Sequence, residues 1–314
     1  MAAYILRRFG FLVLTLILTS VIIFSIAQLL PGDVARVMLG REASDEAVAA
    51  LRTKMGLNDP APLRYVRWLA DFVRGEWGES YPDGTKIYPL VTQRLTKSLW
   101  LAAVTLVLSI PLAIALGVLA GLNANKPVDG VISVSSLALI GFPEFVSGIV
   151  LINILAYQFR LFPASSSISP EATFQEALPS LILPGLTVTL VLLAYVIRLT
   201  RAGVIEVMKR PYMRTAVLKG LPWRHVIFSH VLRNALLPTI TVIAISFGWL
   251  ISGLVVTENV FGYPGLGKLM LFAISRRDLQ LMQAIAMVTV LFYALANLLA
   301  DLLYAYLNPR IRLE

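Results

Sequence analysis

Few residues in this 314-residue chain have types and spacings that could do chemistry. Gly262-Tyr263-Pro264-Gly265-Leu266-Gly267-Lys268 satisfies the letters GxxxxGK of a loop in which backbone N–H groups and a lysine cradle phosphates. The next residue is Leu269, where magnesium binding needs a Ser or Thr hydroxyl, and the mechanism also needs a strand before the loop. An apolar segment precedes it instead, so the glycines and Pro264 are expected to shape a tight turn near a membrane surface. His225 and His230 are the only histidines, and five-residue spacing does not put two metal ligands on one α-helical face. With no cysteine, disulfides, thiolate metal sites and iron–sulfur clusters are excluded. No Ser/His/Asp or paired-carboxylate pattern stands out, so neither a catalytic residue nor a metal site is expected. Glu144 remains, directly after Pro143 in a long apolar segment. An ionisable group at membrane depth is a functional candidate, here for lining a path across the membrane. The competing reading is that it lies near the interface or pairs with a polar neighbour.

The other candidate is a basic stretch. Arg198, Arg201, Lys209, Arg210, Arg214, Lys219, Arg224 and Arg233 stand between two apolar segments against a single carboxylate, Glu206. Charge of this sign beside spans belongs on the cytoplasmic side. Pro211 suits a first helical turn, Tyr212 to Lys219 can form two turns, and Gly220 can take the left-handed geometry that ends them. Pro222 can then start a second helix from Trp223 to Arg233. The expected result is helix, glycine turn, helix, a docking loop for a soluble partner with Tyr212, Met213, Ala216 and Val217 available for contact.

These residues must be positioned by membrane spans. Hydrophobic residues make up 58% of the chain and charged residues 14%, well below the quarter or so of a soluble domain, and mean hydropathy is +0.78. Six apolar runs are long enough to cross a bilayer: about 9–30, 98–121, 131–159, 178–197, 235–257 and 281–305. The expected class is therefore an all-α integral membrane protein, with helical backbone throughout the bilayer. Pro111 and Pro143 are expected to kink the second and third spans. The net charge of +9 is spread beside the spans, which topology explains better than nucleic-acid binding.

Arg7 and Arg8 place the N-terminus inside, and six spans return the C-terminus there, in agreement with Arg310 and Arg312. The loop at Lys126-Pro127 also falls inside, whereas 160–177 and 258–280 fall outside. Lys268, Arg276 and Arg277 run against this rule and are partly offset by Glu258 and Asp278. Ser25-Ile26-Ala27 loosely resembles a signal-peptidase site, but the run before it is longer than a usual signal core, so residues 1–30 are read as the first span. Residues 31–97 form an external helical subdomain. In it Ser44 caps a helix ending at Gly56, and a second helix runs from Pro62 to Gly75 with an apolar stripe of Leu63, Val66, Leu69 and Val73. It reads as a cap packed on the spans or as a surface that receives a partner. Residues 98–305 form the five-span core, with the cytoplasmic loop at 203–233 and a tail at 306–314.

In order along the chain, the motifs resemble a known family. These are Tyr4-Ile5-Leu6-Arg7-Arg8, Leu30-Pro31-Gly32-Asp33, Tyr65-Val66-Arg67-Trp68-Leu69, Gly75-Glu76-Trp77-Gly78, Arg198-Leu199-Thr200-Arg201, Arg214-Thr215-Ala216 to Lys219-Gly220-Leu221, Arg233-Asn234-Ala235-Leu236-Leu237-Pro238, Glu258-Asn259-Val260-Phe261 and Pro264-Gly265-Leu266-Gly267. The chain is similar to inner-membrane permease subunits of binding-protein-dependent ABC importers, in the branch for dipeptides, oligopeptides and nickel complexes. The resemblance implies the type I importer permease fold. It implies that 212–233 is the EAA-type coupling loop, seated in a groove of an ATPase subunit through Tyr212, Met213, Arg214, Thr215, Ala216, Lys219, Gly220 and Leu221. The general pattern has Glu where this chain has Arg214, and arginine there is similar to the peptide branch. It further implies a bacterial inner-membrane location, a second permease of the same fold, two ATPase subunits that bind ATP and Mg, and an external solute-binding protein. This chain itself would bind no cofactor. A path would run between the two permeases. The rival from the residues alone is a stand-alone secondary transporter, which would need a charge relay beyond Glu144 and inverted repeats.

Overall fold

The computed structural model describes residues 2–29, 34–39, 43–54, 56–169 and 171–307; within them the regular structure is helical, with one isolated bridge between Glu79 and Lys86. Leu30-Pro31-Gly32-Asp33, Arg310 and Arg312 lie outside the described residues. The first span is α1 (Ala2–Leu29). After it come α2 (Val34–Leu39) and α3 (Asp45–Lys54). Ser44 caps α3 by accepting the Ala47 N–H at 3.3 Å, and Gly56 follows at φ +64°, as the sequence predicts.

Helix α4 (Ala61–Arg74) ends at a left-handed Gly75, also as expected, but its packing differs. Leu63, Val66 and Val73 of the apolar stripe are exposed. The helix instead turns its aromatic residues inward, because Tyr65, Trp68 and Phe72 share a face at three- and four-residue spacing. Phe24 of α1 meets Tyr65 at 5.5 Å and Trp68 at 5.8 Å between ring centroids, and Phe72 stacks on Trp77 at 4.9 Å. Tyr65 also shares a 2.8 Å hydrogen bond with Ser20.

Helix α5 (Ile87–Leu122) begins at Ile87 rather than near residue 98 and runs unbroken through Pro111. Its 36 residues reach about 54 Å, well beyond a hydrocarbon core of about 30 Å. The first turns of α5, with Arg94 and Lys97, therefore extend past the span. Along its second half α5 packs on α8 (Phe174–Met208) through Gly117 and Gly121. A Cβ at Gly117 would sit 2.6 Å from Thr200 Cβ and 2.9 Å from the Ile197 carbonyl; one at Gly121 would sit 2.6 Å from Val204 Cβ. Two small residues four apart let the backbones meet, the usual device where lipid removes the hydrophobic drive for helix association.

The third apolar run is not one straight helix. α6 (Pro127–Gly141) and α7 (Glu144–Leu151) are bent by 105° about Phe142, and α7 continues as a π-helical turn, Ile152–Gln158. Pro143 favours the break: its ring disfavours helical geometry at the preceding residue, and Phe142 is extended at ψ 126°. The chain then continues through α8, α9 (Pro211–Leu218), α10 (Trp223–His225), a second π-helical turn at Val226–Leu232, α11 (Arg233–Gly253), α12 (Val255–Val260), α13 (Leu266–Arg276) and α14 (Leu279–Leu307). A bend of 49° separates Trp223–Leu236 from Pro238–Leu250. The described residues thus hold 4 helices able to cross a membrane unaided, and up to 6 passes when each bent pair counts as one.

Two apolar clusters mark the ends of the bundle. Ile87, Val91 and Leu95 pack with Leu266, Leu269, Leu281 and Ile285, so α5 and α14 set off from one end. Val118 and Leu122 at the far end of α5 pack on Val204, Val207, Val226 and Ala235. Arg8 pairs with Asp301 at 2.8 Å, joining the start of α1 to the end of α14. The N-terminal arginines, the 123–126 connection and the basic stretch therefore share one end.

Candidate functional site

At that end, α8 runs out at Met208, and Arg210 pairs with Glu206 one turn back. Pro211 occupies the first turn of α9, Gly220 follows at φ +68°, and Pro222 opens α10. The helix, glycine turn and helix expected from the sequence are present. A side chain at Gly220 would meet nothing within 4 Å, so the glycine serves backbone geometry and not packing.

Met213 and Ala216 were expected on the contact face, and the structure corrects this. They are 2% and 6% exposed and pack on Val204, Val207, Val226 and Val231. Three-residue spacing puts them on one face of α9, and the end of α8 offers the nearest apolar surface. Leu221 packs at the edge of the same cluster. The residues left facing out are Tyr212, Arg214, Thr215, Val217, Leu218 and Lys219. Trp223 and Phe228 add exposed aromatic surface beyond the turn.

His225 and His230 are also closer than their spacing implied: their rings lie 5.9 Å apart, edge to face. The π-helical turn between them is the reason, since one extra residue per turn brings i and i+5 into register. No group of three His, Cys, Asp or Glu suited to a metal occurs among the described residues.

Sequence reasoning missed Asp129. Arg201 grips its carboxylate with Nε and, at 2.7 Å, with a terminal nitrogen. Asp129 also accepts the Asn125 N–H at 2.9 Å and the Ser133 hydroxyl at 3.1 Å. The buried carboxylate thereby fixes the start of α6 to α8, next to the exposed loop. Its only sequence signal is an acid in the first turn of a helix opened by Pro127.

Glu144 lies half-buried in the first turn of α7 and accepts a hydrogen bond from Thr257 of α12. It meets a polar neighbour, the competing reading of this residue, and so ties α7 to α12.

The glycine turn at the opposite end is built around Glu258, which is fully buried. Its carboxylate accepts the Ser98 hydroxyl at 2.5 Å and the Lys268 N–H at 3.0 Å, while Ser98 accepts the Leu266 N–H at 2.8 Å. The N–H groups that would cradle a phosphate are therefore taken. Burial pushes Glu258 up to about 7, against the opposing pull of those hydrogen bonds and of Arg94. A Cβ on Gly265 would fall 2.0 Å from Glu258, and one on Gly267 2.6 Å from Val255 Cα, so both glycines are required by close approach. Tyr263 is buried and donates to the Lys97 carbonyl at 2.7 Å. Asp278 is likewise fully buried, accepting Ser80 at 2.6 Å, the Tyr81 N–H at 3.2 Å and the Leu281 N–H at 3.1 Å. Both acids, which in the sequence only offset nearby cations, anchor this end.

Comparison with known proteins agrees along the whole chain. Residues 113–313 match the family described as binding-protein-dependent transport system inner membrane component, and residues 1–102 match its N-terminal counterpart. The chain is 37% identical over 312 residues to a probable peptide ABC transporter permease protein, y4tP, of Sinorhizobium fredii, covering 99% of this chain and 100% of that one. It is 32% identical over 312 residues to the glutathione transport system permease protein GsiC of Escherichia coli K12, covering 99% of both. The corresponding Salmonella paratyphi A protein is 31% identical over the same length.

Proposed function

Since the chain belongs to the binding-protein-dependent transport system inner membrane component family, and is thus a permease of an ABC importer working with ATPase and binding-protein components, we propose that its solutes are short peptides. The relative of highest identity given above is a probable peptide permease, and the next carries glutathione, itself a peptide. We further place the basic end in the cytoplasm of a bacterium, with both termini there and the Glu258 end outside. The positive-inside rule supports this placement.

The working parts follow from the geometry. ATP and Mg belong to two partner ATPase subunits, and this chain supplies the handle they move. The exposed face of α9, Tyr212, Arg214, Val217, Leu218 and Lys219, is that handle. Met213 and Ala216 act from below, keying α9 to the ends of α8 and α11 so that a push on α9 displaces long helices. Asp129 and Arg201 carry the same displacement into α6. A second permease of the same fold completes the path, and Glu144 with Thr257 stands near a bend that can respond to it. The partners shift the two access states only through different affinities for them.

The observation that carries this reading is the helix, glycine turn and helix projecting from the cationic end with an apolar rim. The test is uptake alongside ATPase activity in the reconstituted complex. Gly220→Val should depress uptake at least tenfold and uncouple it from hydrolysis; unchanged values for both reject the assignment.

A further inference from the structure

At the end of the bundle opposite the basic stretch, a cavity of about 420 Å³ opens between the first turns of α5, Ser167-Ile168 and the glycine turn before α13. Cations converge on it. Arg94, Lys97 and Lys268 line it, with Asp83 the one carboxylate among the described lining residues. The Lys268 ammonium donates to the Gly262 carbonyl at 2.9 Å. Lys97 donates to the Ala172 carbonyl at 2.8 Å and lies 4.1 Å from the centre of the Trp100 ring.

Arg94 is different. Its Nε is buried and has no hydrogen-bond partner among the described residues. Glu258 is near enough for its charge to favour that of Arg94. Its carboxylate oxygens, however, take the Ser98 hydroxyl and the Lys268 N–H. A buried guanidinium donor without an acceptor is costly and rare in folded proteins. Its planar fork matches the two oxygens of a carboxylate. The rest of the lining suits an organic group better than a bare inorganic anion, since Leu90, Ile168, Leu269 and Phe272 are apolar. Gln93 and Ser167 add neutral polar contacts. The volume accommodates a molecule of dipeptide size.

We propose that this cavity is a carboxylate site: Arg94 grips the carboxylate of an arriving molecule, and Lys97 and Lys268 compensate its charge. The site rests on the reading that solute and binding protein approach at this end. The carboxylate comes from the solute or from an acidic side chain of the binding protein, two sources with one chemistry.

The test titrates the purified permease complex with acetate, glycylglycine and glycylglycinamide, reading binding by calorimetry and thermal shift. Acetate and glycylglycine should bind and the amide should not. Arg94→Gln should weaken glycylglycine at least tenfold without lowering the melting temperature, because it removes an unpaired donor. Arg94→Lys should recover part of the binding, and Lys268→Gln should weaken it independently. Absence of carboxylate-dependent binding in the native complex, or equal binding by Arg94→Gln, overturns the site. Affinity of the binding protein for the complex then separates the sources. Unchanged affinity in Arg94→Gln assigns the carboxylate to the solute, and a tenfold loss assigns it to the binding protein. Peptide uptake is assayed apart, so its failure with carboxylate binding intact counts against the peptide reading alone.

Discussion

Glu258→Ala leaves the Ser98 hydroxyl and the Lys268 N–H without their acceptor in a fully buried place. A loss of about 2–6 kcal/mol is expected, from roughly 1–3 for each of the two stranded groups, and chemical unfolding in detergent measures it. Glu258 also makes stability depend on pH. Its folded pKa, about 7, lies above the ordinary 4.5, so the folded state holds the extra proton between those values. The contribution is full below about 4.5, is lost as pH rises through 7, and is flat above, a span of at most about 3 kcal/mol. Glu258→Gln should remove that slope from a melting-temperature profile taken between pH 4.5 and 8; an unchanged slope assigns it elsewhere. Gly220→Val strains a residue at φ +68° by about 1–2 kcal/mol, whereas Gly220→Asn should keep most uptake because Asn tolerates left-handed geometry. Gly220 was legible because a lone glycine between two prolines has few other uses. Glu258 was not, since an acid near lysines reads the same whether it is solvated or is the acceptor on which a turn is built.

At the scale of elements, α5 and α8 depend on Gly117 and Gly121. Gly121→Leu would drive a side chain into Val204 and toward the Arg201 carbonyl. It should cost about 1–3 kcal/mol as overpacking, or separate the helices, and the melting temperature of the purified chain registers either. Asp129→Asn should loosen α6 from α8. Breaking a buried pair costs about 3–5 kcal/mol, but Arg201 is 31% exposed at its side chain, so about 1–3 kcal/mol is the fair expectation. If α6 transmits motion from the coupling loop, this variant should also hydrolyse ATP with reduced uptake. The spans were readable from apolar run length, which the bilayer imposes directly. The 105° break at Phe142 was readable only as a kink, because proline disfavours helix at its neighbour without saying where the chain then goes. The α4 face was misassigned for a related reason. Leu63, Val66 and Val73 form a good stripe, but Tyr65, Trp68 and Phe72 form another, and only the neighbouring Phe24 and Trp77 decide between them.

The whole molecule has a cationic end, where α9 is keyed to α8 and α11, and an opposite end where Glu258 and Asp278 lock short segments onto α5 and α14. Long continuous helices join the two and offer the route along which the proposed displacement of α9 would reach the other end. That arrangement was largely visible in the sequence, since charge placement and span order fix which loops share a side. What escaped it were contacts between residues far apart in the chain, such as Ser80 with Asp278, whose pairing follows from packing alone. The central claim is that this polypeptide is a conduit moved by others. Proteoliposomes holding the permease pair, ATPases and binding protein should accumulate peptide against a gradient only when ATP is supplied to the ATPase side. The same vesicles holding this chain alone should equilibrate solute or exclude it. Accumulation by the chain alone under an ion gradient would contradict the account.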